Sequence, residues 1–177
     1  RGWVHSTTYL CEVTRPYPPA LMAERIRKHW GWGWKDEEPS REELDDLAAG
    51  ISAHLGFGSS EIEDPAPLDS FEIGEPRVHL PETLEAIADT SVESRVFHSH
   101  GAAYRDVVRA FRGDLKDFTD AVLTPRTEDE VATILDWAGA EGVAVIPFGG
   151  GTSVVAGVEP RVGTDFSGVV TLDLGGF

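Results

Sequence analysis

Three consecutive glycines, Gly149-Gly150-Gly151, follow an apolar run, Val143-Ala144-Val145-Ile146, and precede Thr152-Ser153. A short β-branched run of this kind reads as a buried strand. Glycines directly behind a strand permit backbone angles that side chains forbid. They also let main-chain amides approach an oxyanion closely, and successive N–H groups curled toward one point form a nest that binds phosphate. The hydroxyls of Thr152 and Ser153 add two more donors. Each bond to a charged oxygen contributes roughly 1.5–3 kcal/mol net. The whole loop runs Pro147-Phe148-Gly149-Gly150-Gly151-Thr152-Ser153.

The flanks place this loop in a sheet. Asp120–Thr124 is a short apolar strand that Pro125 terminates. Thr127-Glu128-Asp129-Glu130 is a capping box, with Thr127 as N-cap and Glu130 positioned to reach back. Its acidic first turn suits the positive end of a helix. Val131, Ile134, Leu135 and Ala138 follow at helical spacing, and Gly142 supplies a C-terminal glycine. After the glycine loop, Gly168–Asp173 forms another strand. Strand, helix and strand in this order predict a right-handed βαβ unit with parallel strands.

Two familiar phosphate loops do not fit. A Walker loop needs Lys-Ser/Thr after its last glycine, and here Gly157 is followed by Val158. The dinucleotide fingerprint matches Gly149 and Gly151, but position 154 is Val and no long helix pattern opens there. A strand that runs into a glycine turn and then meanders remains, as does a glycine-rich turn without a ligand. The chain's 31 acidic and 15 basic residues give a formal net charge of −16. That balance argues against nucleic acid or an anionic membrane as partner. An acidic protein that holds a phosphorylated ligand needs a local donor array, and backbone amides supply one without net charge. A salt-adapted host would produce the same composition.

The first 117 residues are less regular. Residues 1–21, with Pro16, Pro18 and Pro19, read as irregular and lack a secretory pattern. Cys11 is the only cysteine, so no internal disulfide forms. The only methionine is Met22, and the sequence stops at Phe177 directly after a strand-like run. We therefore expect residues 1–21 to lie upstream of the native start and the C-terminus to be a truncation. Trp30, Trp32 and Trp34 alternate with Gly31 and Gly33. Residues 40–56 read as a helix: Ser40 caps, Glu43 completes a capping box, and Leu44, Leu47, Ile51 and Leu55 form one stripe. Residues 59–80 are a proline-bearing linker. Pro81–Ala88 and Ala102–Phe111 read as short helices, the latter with Tyr104, Val107, Val108 and Phe111 on one side. Residues 94–98 read as extended.

With these residues in hand, Asp120–Asp173 resembles the first half of the FAD-binding domain of the vanillyl-alcohol oxidase/p-cresol methylhydroxylase (PCMH) superfamily. The resemblance rests on the glycine loop, on Asp120-Ala121-Val122, Pro125 and Glu128–Val131 upstream, and on Val170–Asp173 downstream. It implies that Pro147, Phe148, Gly149, Gly150, Gly151, Thr152 and Ser153 line the diphosphate of FAD. Within the superfamily the chain is similar to the alkyldihydroxyacetonephosphate synthase (alkylglycerone-phosphate synthase) family over most of residues 28–175. Trp30–Trp34, Arg95-Val96-Phe97 with His100-Gly101, and Phe111-Arg112-Gly113 carry that likeness. It departs at Ala102, where the family can have a second histidine, and at Phe118-Thr119, where it has Ile-Pro.

The resemblance implies an α+β fold: an N-terminal helical and irregular extension, then the first βαβ subdomain of a PCMH-type FAD-binding domain. The boundaries expected are 1–21, 22–117 and 118–177. It implies a flavoenzyme of ether-lipid synthesis that exchanges the acyl chain of acyl-dihydroxyacetone phosphate for a fatty alcohol, with a covalent flavin–substrate adduct and no net oxidation. The alternatives are an FAD-dependent oxidoreductase of a 2-hydroxy acid such as lactate or glycolate, and a non-catalytic module that binds a partner through the tryptophans. No catalytic residue is identified within the chain. The partners expected are a lipid-like or small organic-acid substrate, not nucleic acid, and a homodimer is left open. No transmembrane segment and no peroxisomal signal is read, so the compartment expected is the cytoplasm.

His98 and His100 would share one strand face, but without neighbouring Asp, Glu or Cys a packing role is favoured over a metal. The tryptophan array reads as a buried plug rather than a ligand platform. Arg161, flanked by Glu159 and Asp165, reads as a surface ion pair.

Overall fold

A computed structural model describes residues 26–176; the stretch expected to be irregular, residues 1–21, lies outside them. In chain order the elements are α1 (Arg41–Leu55), α2 (Glu82–Glu85), β1 (Ala88–Asp89), α3 (Val92–Phe97), α4 (Tyr104–Phe111), β2 (Ala121–Leu123), α5 (Glu128–Glu141), β3 (Val143–Phe148) and β4 (Gly168–Asp173). The strands form one sheet in the order β1-β2-β4-β3. β4 is parallel to both β2 and β3, and β1 pairs antiparallel with β2 at the edge.

The chain leaves β2, crosses through α5 into β3, and returns through β4, which fills the slot between them. The parallel unit expected from the sequence is present, but β2 and β3 do not touch. β4 suits the central place because Val169, Val170, Thr171 and Leu172 are all buried, as a strand covered on both faces requires. α5 begins at the expected capping box: the Glu130 amide donates to the Thr127 hydroxyl, and the Thr127 amide donates to the Glu130 carboxylate. It ends at Gly142, whose φ of 66° is the left-handed conformation a glycine cap provides. Ile134 and Ala138 pack on Leu123, Val170 and Leu172 in the main core. Leu135, placed in the same stripe by its spacing, is half exposed.

A second core gathers Phe71, Val96, Ala110 and Leu115, with Trp30 and Phe118 against it. Asp120 ties the two regions together. Its buried carboxylate accepts the Arg77 amide and guanidinium and the Val169 amide. Burial pushes this carboxyl up, but the Arg77 and Val169 hydrogen bonds outweigh it and hold it below the usual carboxylate range. Gly168 is confined at the same place, since a Cβ there would collide with Val78 Cγ1 and sit 2.8 Å from the Asp120 carboxylate.

Several expectations for the first half are corrected. Residues 94–98 belong mostly to helix α3, because Ser91 caps it by accepting the Ser94 amide. The helix after Pro81 is only Glu82–Glu85, and Ala88–Asp89 instead pairs with β2. On α4 the buried residues are Asp106 and Ala110, while Tyr104 is exposed. Helix α1 forms with both arms of its capping box, yet none of its residues is buried, and Leu47, Ile51 and Leu55 are half exposed or more.

Candidate functional site

β3 runs further than its apolar residues alone indicate. Pro147 and Phe148 remain in register with Leu172 and Asp173, so the glycine loop begins at the C-terminal ends of two parallel strands. Phe148 is buried, and its ring lies 4.5 Å from the His98 ring and 5.9 Å from the Phe97 ring. The chain then bends back over that ring. Gly151 has φ 69°, and a Cβ there would lie 2.7 Å from Phe148 Cζ. Glycine is therefore required at 151 by the bend itself.

Gly149 and Gly150 are different. Neither has a positive φ. A Cβ on Gly149 would meet nothing within 4 Å, and one on Gly150 would meet only Thr152 Cγ2 at 3.6 Å. No internal contact demands glycine at these exposed positions, so what their missing side chains leave open is space outside the chain. Among the described residues, none of the amides from Gly149 to Ser153 donates a hydrogen bond within the chain. Five neighbouring donors without acceptors in a strand-to-loop bend fit an anionic ligand.

The far side of the loop is pinned. The Ser153 carbonyl accepts the Ala102 amide at 2.7 Å, and a Cβ on Gly101 would collide with that same oxygen. The Ser153 hydroxyl accepts the Gly157 amide at 3.0 Å, which leaves its own proton free to donate. The Thr152 side chain is exposed. No helix opens after Val154; the chain meanders to β4, as expected.

The tryptophan segment packs against this loop. Arg27 and Trp34 form an antiparallel bridge, and the Lys28 amide donates to the Gly33 carbonyl, so residues 26–35 close on themselves. Arg27 reaches across to donate to the Gly150 carbonyl at 3.2 Å, with its guanidinium over the Trp34 and Phe97 rings. Trp30 packs edge-on against Phe111. Trp32 is 60% exposed. Trp30 and Trp34 are partly buried, Trp30 against the second core, so the expected buried plug is met only in part. Trp32 and Trp34 instead line a recess of about 370 Å³ whose opposite wall is Gly150, Gly151 and Thr152.

The histidines are turned away from any shared metal position. His98 directs Nδ1 at the Ser94 carbonyl and Nε2 at Asp173, 3.4 Å away. His100 directs Nε2 at the His29 carbonyl and Nδ1 at the Gly101 carbonyl. Among the described residues no group of three or more His, Cys, Asp or Glu side chains gathers. Asp173 lies at the end of β4; burial raises its carboxyl, but His98, the Gly175 amide and the Arg27 charge hold it below the ordinary range. Arg161 pairs with Asp117 and Glu159 at the surface rather than with a phosphate position.

Arg95 is buried and donates to the Thr119 and Gly74 carbonyls, while Ser99 links the Arg95 carbonyl to the Thr119 amide. The Arg95–Gly101 stretch thus brackets the N-terminal region onto the sheet. Sequence reasoning missed the contribution of Arg27 and Lys28 to the recess. Their signal was a pair of cations directly before the tryptophans in an otherwise acidic chain.

Residues 119–176 match a family model described as an FAD binding domain; the segment holds β2, α5, β3, the glycine loop and β4, and FAD is the cofactor it implies. The chain is similar to the alkyldihydroxyacetonephosphate synthase of Trypanosoma brucei brucei, 38% identical over 81 residues, which are 46% of this chain and 13% of that protein. The synthase of Dictyostelium discoideum is 31% identical over 81 residues, with the same coverage. That of Caenorhabditis elegans is 22% identical over 88% of this chain and 30% of its own length. Two solved structures of alkyldihydroxyacetonephosphate synthase superpose with TM-scores of 0.68 and 0.67 over 84% of this chain and 32% of theirs. At 22% and 20% identity they establish the α+β fold. The chain thus spans under a third of the length of the relatives it matches. No helix among the described residues is long and apolar enough to cross a membrane.

Proposed function

We propose that Pro147–Ser153 holds the diphosphate of FAD, and that the chain is the first part of the cofactor domain of a flavoenzyme resembling alkylglycerone-phosphate synthase. One observation carries the assignment: five consecutive amides without internal acceptors, in a segment that matches an FAD-binding domain. Gly149 and Gly150 keep the surface open for the phosphoryl oxygens, Gly151 makes the bend, and the Thr152 and Ser153 hydroxyls complete the donor set. Phe148 and Pro147 anchor the loop to the sheet, so its amides are held in place before a ligand arrives. The domain boundaries that follow are a helical N-terminal region over residues 22–117 and the cofactor domain from residue 118.

For the full-length protein we propose exchange of the acyl chain of acyl-dihydroxyacetone phosphate for a fatty alcohol. When bound, the flavin supplies the electrophilic and electron-storing centre of that chemistry. The residues of this chain bind and orient it; the groups that move protons at the substrate are assigned to the rest of the protein. The names of the relatives favour this exchange over oxidation of a 2-hydroxy acid.

The test is Gly149→Ala in the full-length protein. The new methyl meets nothing within 4 Å among the described residues, so melting temperature should stay within a few degrees of wild type. FAD affinity, read by flavin fluorescence, should fall at least about tenfold, the equivalent of one lost charge-assisted hydrogen bond. An unchanged affinity would remove the loop from the site and leave a ligand-free glycine turn.

A further inference from the structure

The recess between the tryptophan segment and the glycine loop runs against the charge of the molecule. Acidic residues outnumber basic ones 31 to 15. Yet among the described residues the walls of the recess hold no Asp or Glu and two cations, Arg27 and Lys28. Arg27 is already committed to the Gly150 carbonyl and to the Trp34 and Phe97 rings.

Lys28 is not committed in this way. It is 8% exposed, its ammonium lies 5.2 Å from the centre of the Trp30 ring, and among the described residues it has no carboxylate partner and no side-chain hydrogen bond. Burying an ammonium without an anion is costly, and a ring face offsets only part of that cost. A fixed cation in a pocket without acids among the described residues, lined also by Gly150, Gly151 and Thr152, whose amides have no internal acceptors, is a matched receptor for a phosphate-type dianion.

We propose that Lys28 supplies the positive charge that balances the diphosphate of FAD, with the glycine-loop amides supplying the hydrogen bonds and Arg27 fixing the loop through Gly150. The inference rests on the cofactor reading above and extends it to the segment before the tryptophans. The N-terminal region then has a reason to be bracketed onto the sheet by Arg95–Gly101: it delivers a charge that the acidic cofactor domain lacks.

The experiment titrates FAD into the flavin-free full-length protein at several salt concentrations, for wild type, Lys28→Gln and Lys28→Arg, with inorganic pyrophosphate as competitor. Lys28→Gln should bind FAD about 10- to 100-fold more weakly, the range of one charge-assisted bond. Its affinity should also fall less steeply with salt, and pyrophosphate should compete less well. Lys28→Arg should recover most of the affinity, which a merely structural role in packing Trp30 would not produce. Thermal melting confirms that each variant is folded. Wild-type FAD binding with an unchanged Lys28→Gln affinity and salt slope overturns the inference and leaves the glycine loop as the site. A loss confined to binding of a phosphorylated substrate also overturns it, and assigns the ammonium to that phosphate instead. A wild-type protein that takes up no flavin overturns this inference together with the reading beneath it.

Discussion

Gly101 and Gly151 are fixed by what surrounds them, whereas Gly149 and Gly150 are fixed by nothing among the described residues. The distinction separates architecture from binding. Gly101→Ala would drive a methyl into the Ser153 carbonyl, and we expect a loss of about 2–3 kcal/mol in urea unfolding, with the loop displaced. Gly151→Ala should cost about 1–2 kcal/mol for its left-handed backbone alone. Asp120 offers a pH test. Its folded-state carboxyl is held below the ordinary range, so its contribution to stability is present above about pH 4 and disappears as the pH falls through the folded value. Arg77→Met strands the buried carboxylate and should cost about 2 kcal/mol at pH 7. Because the stranded carboxyl protonates more readily, the gap from wild type should narrow toward pH 3–4. A gap of constant size across that range would mean the pair contributes through packing rather than charge.

The two long helices carry the same local signal and meet different fates. Both α1 and α5 open with complete capping boxes and close on left-handed glycines. α5 buries Ile134 and Ala138 on the sheet, and α1 buries nothing among the described residues. Capping substitutions should divide accordingly. Thr127→Ala is expected to lower global stability by about 1 kcal/mol. Ser40→Ala should leave the global transition unmoved and appear only as faster amide hydrogen exchange over Arg41–Leu55. A global loss from Ser40→Ala would show that α1 is coupled to the core. Short elements were harder to read. α3 escaped because its cap, Ser91, stands outside the stretch that looked extended, and β1 because two residues carry no period and exist only through their pairing with Leu123 and Val122.

For the whole molecule, the distribution of charge matters more than its sum. The net charge of −16 disfavours a phosphorylated ligand over much of the surface, whereas the recess lined by Arg27, Lys28, Gly150, Gly151 and Thr152 holds two cations and, among the described residues, no acid. The span of this chain, under a third of the solved relatives, also bounds what it does alone. We expect the isolated chain to bind FAD more weakly than the full-length protein and to show no turnover, because the isoalloxazine ring and the substrate are assigned to the remainder. Equal affinity by calorimetric titration would show that this segment suffices for the cofactor.

The amino-acid sequence alone determined the elements whose causes are local. The caps at Thr127 and Ser40, the strands over Val143–Ile146 and Gly168–Asp173, and the glycine bend each depend on residues within a few positions of one another. Only the tertiary structure decided that β4 enters between β2 and β3, that Gly149 and Gly150 face open space, and that the tryptophan segment forms the opposite wall. Those facts depend on contacts such as Arg27 to Gly150, 123 residues apart. Whether such groups meet is settled by packing of the whole chain, and no local spacing encodes it.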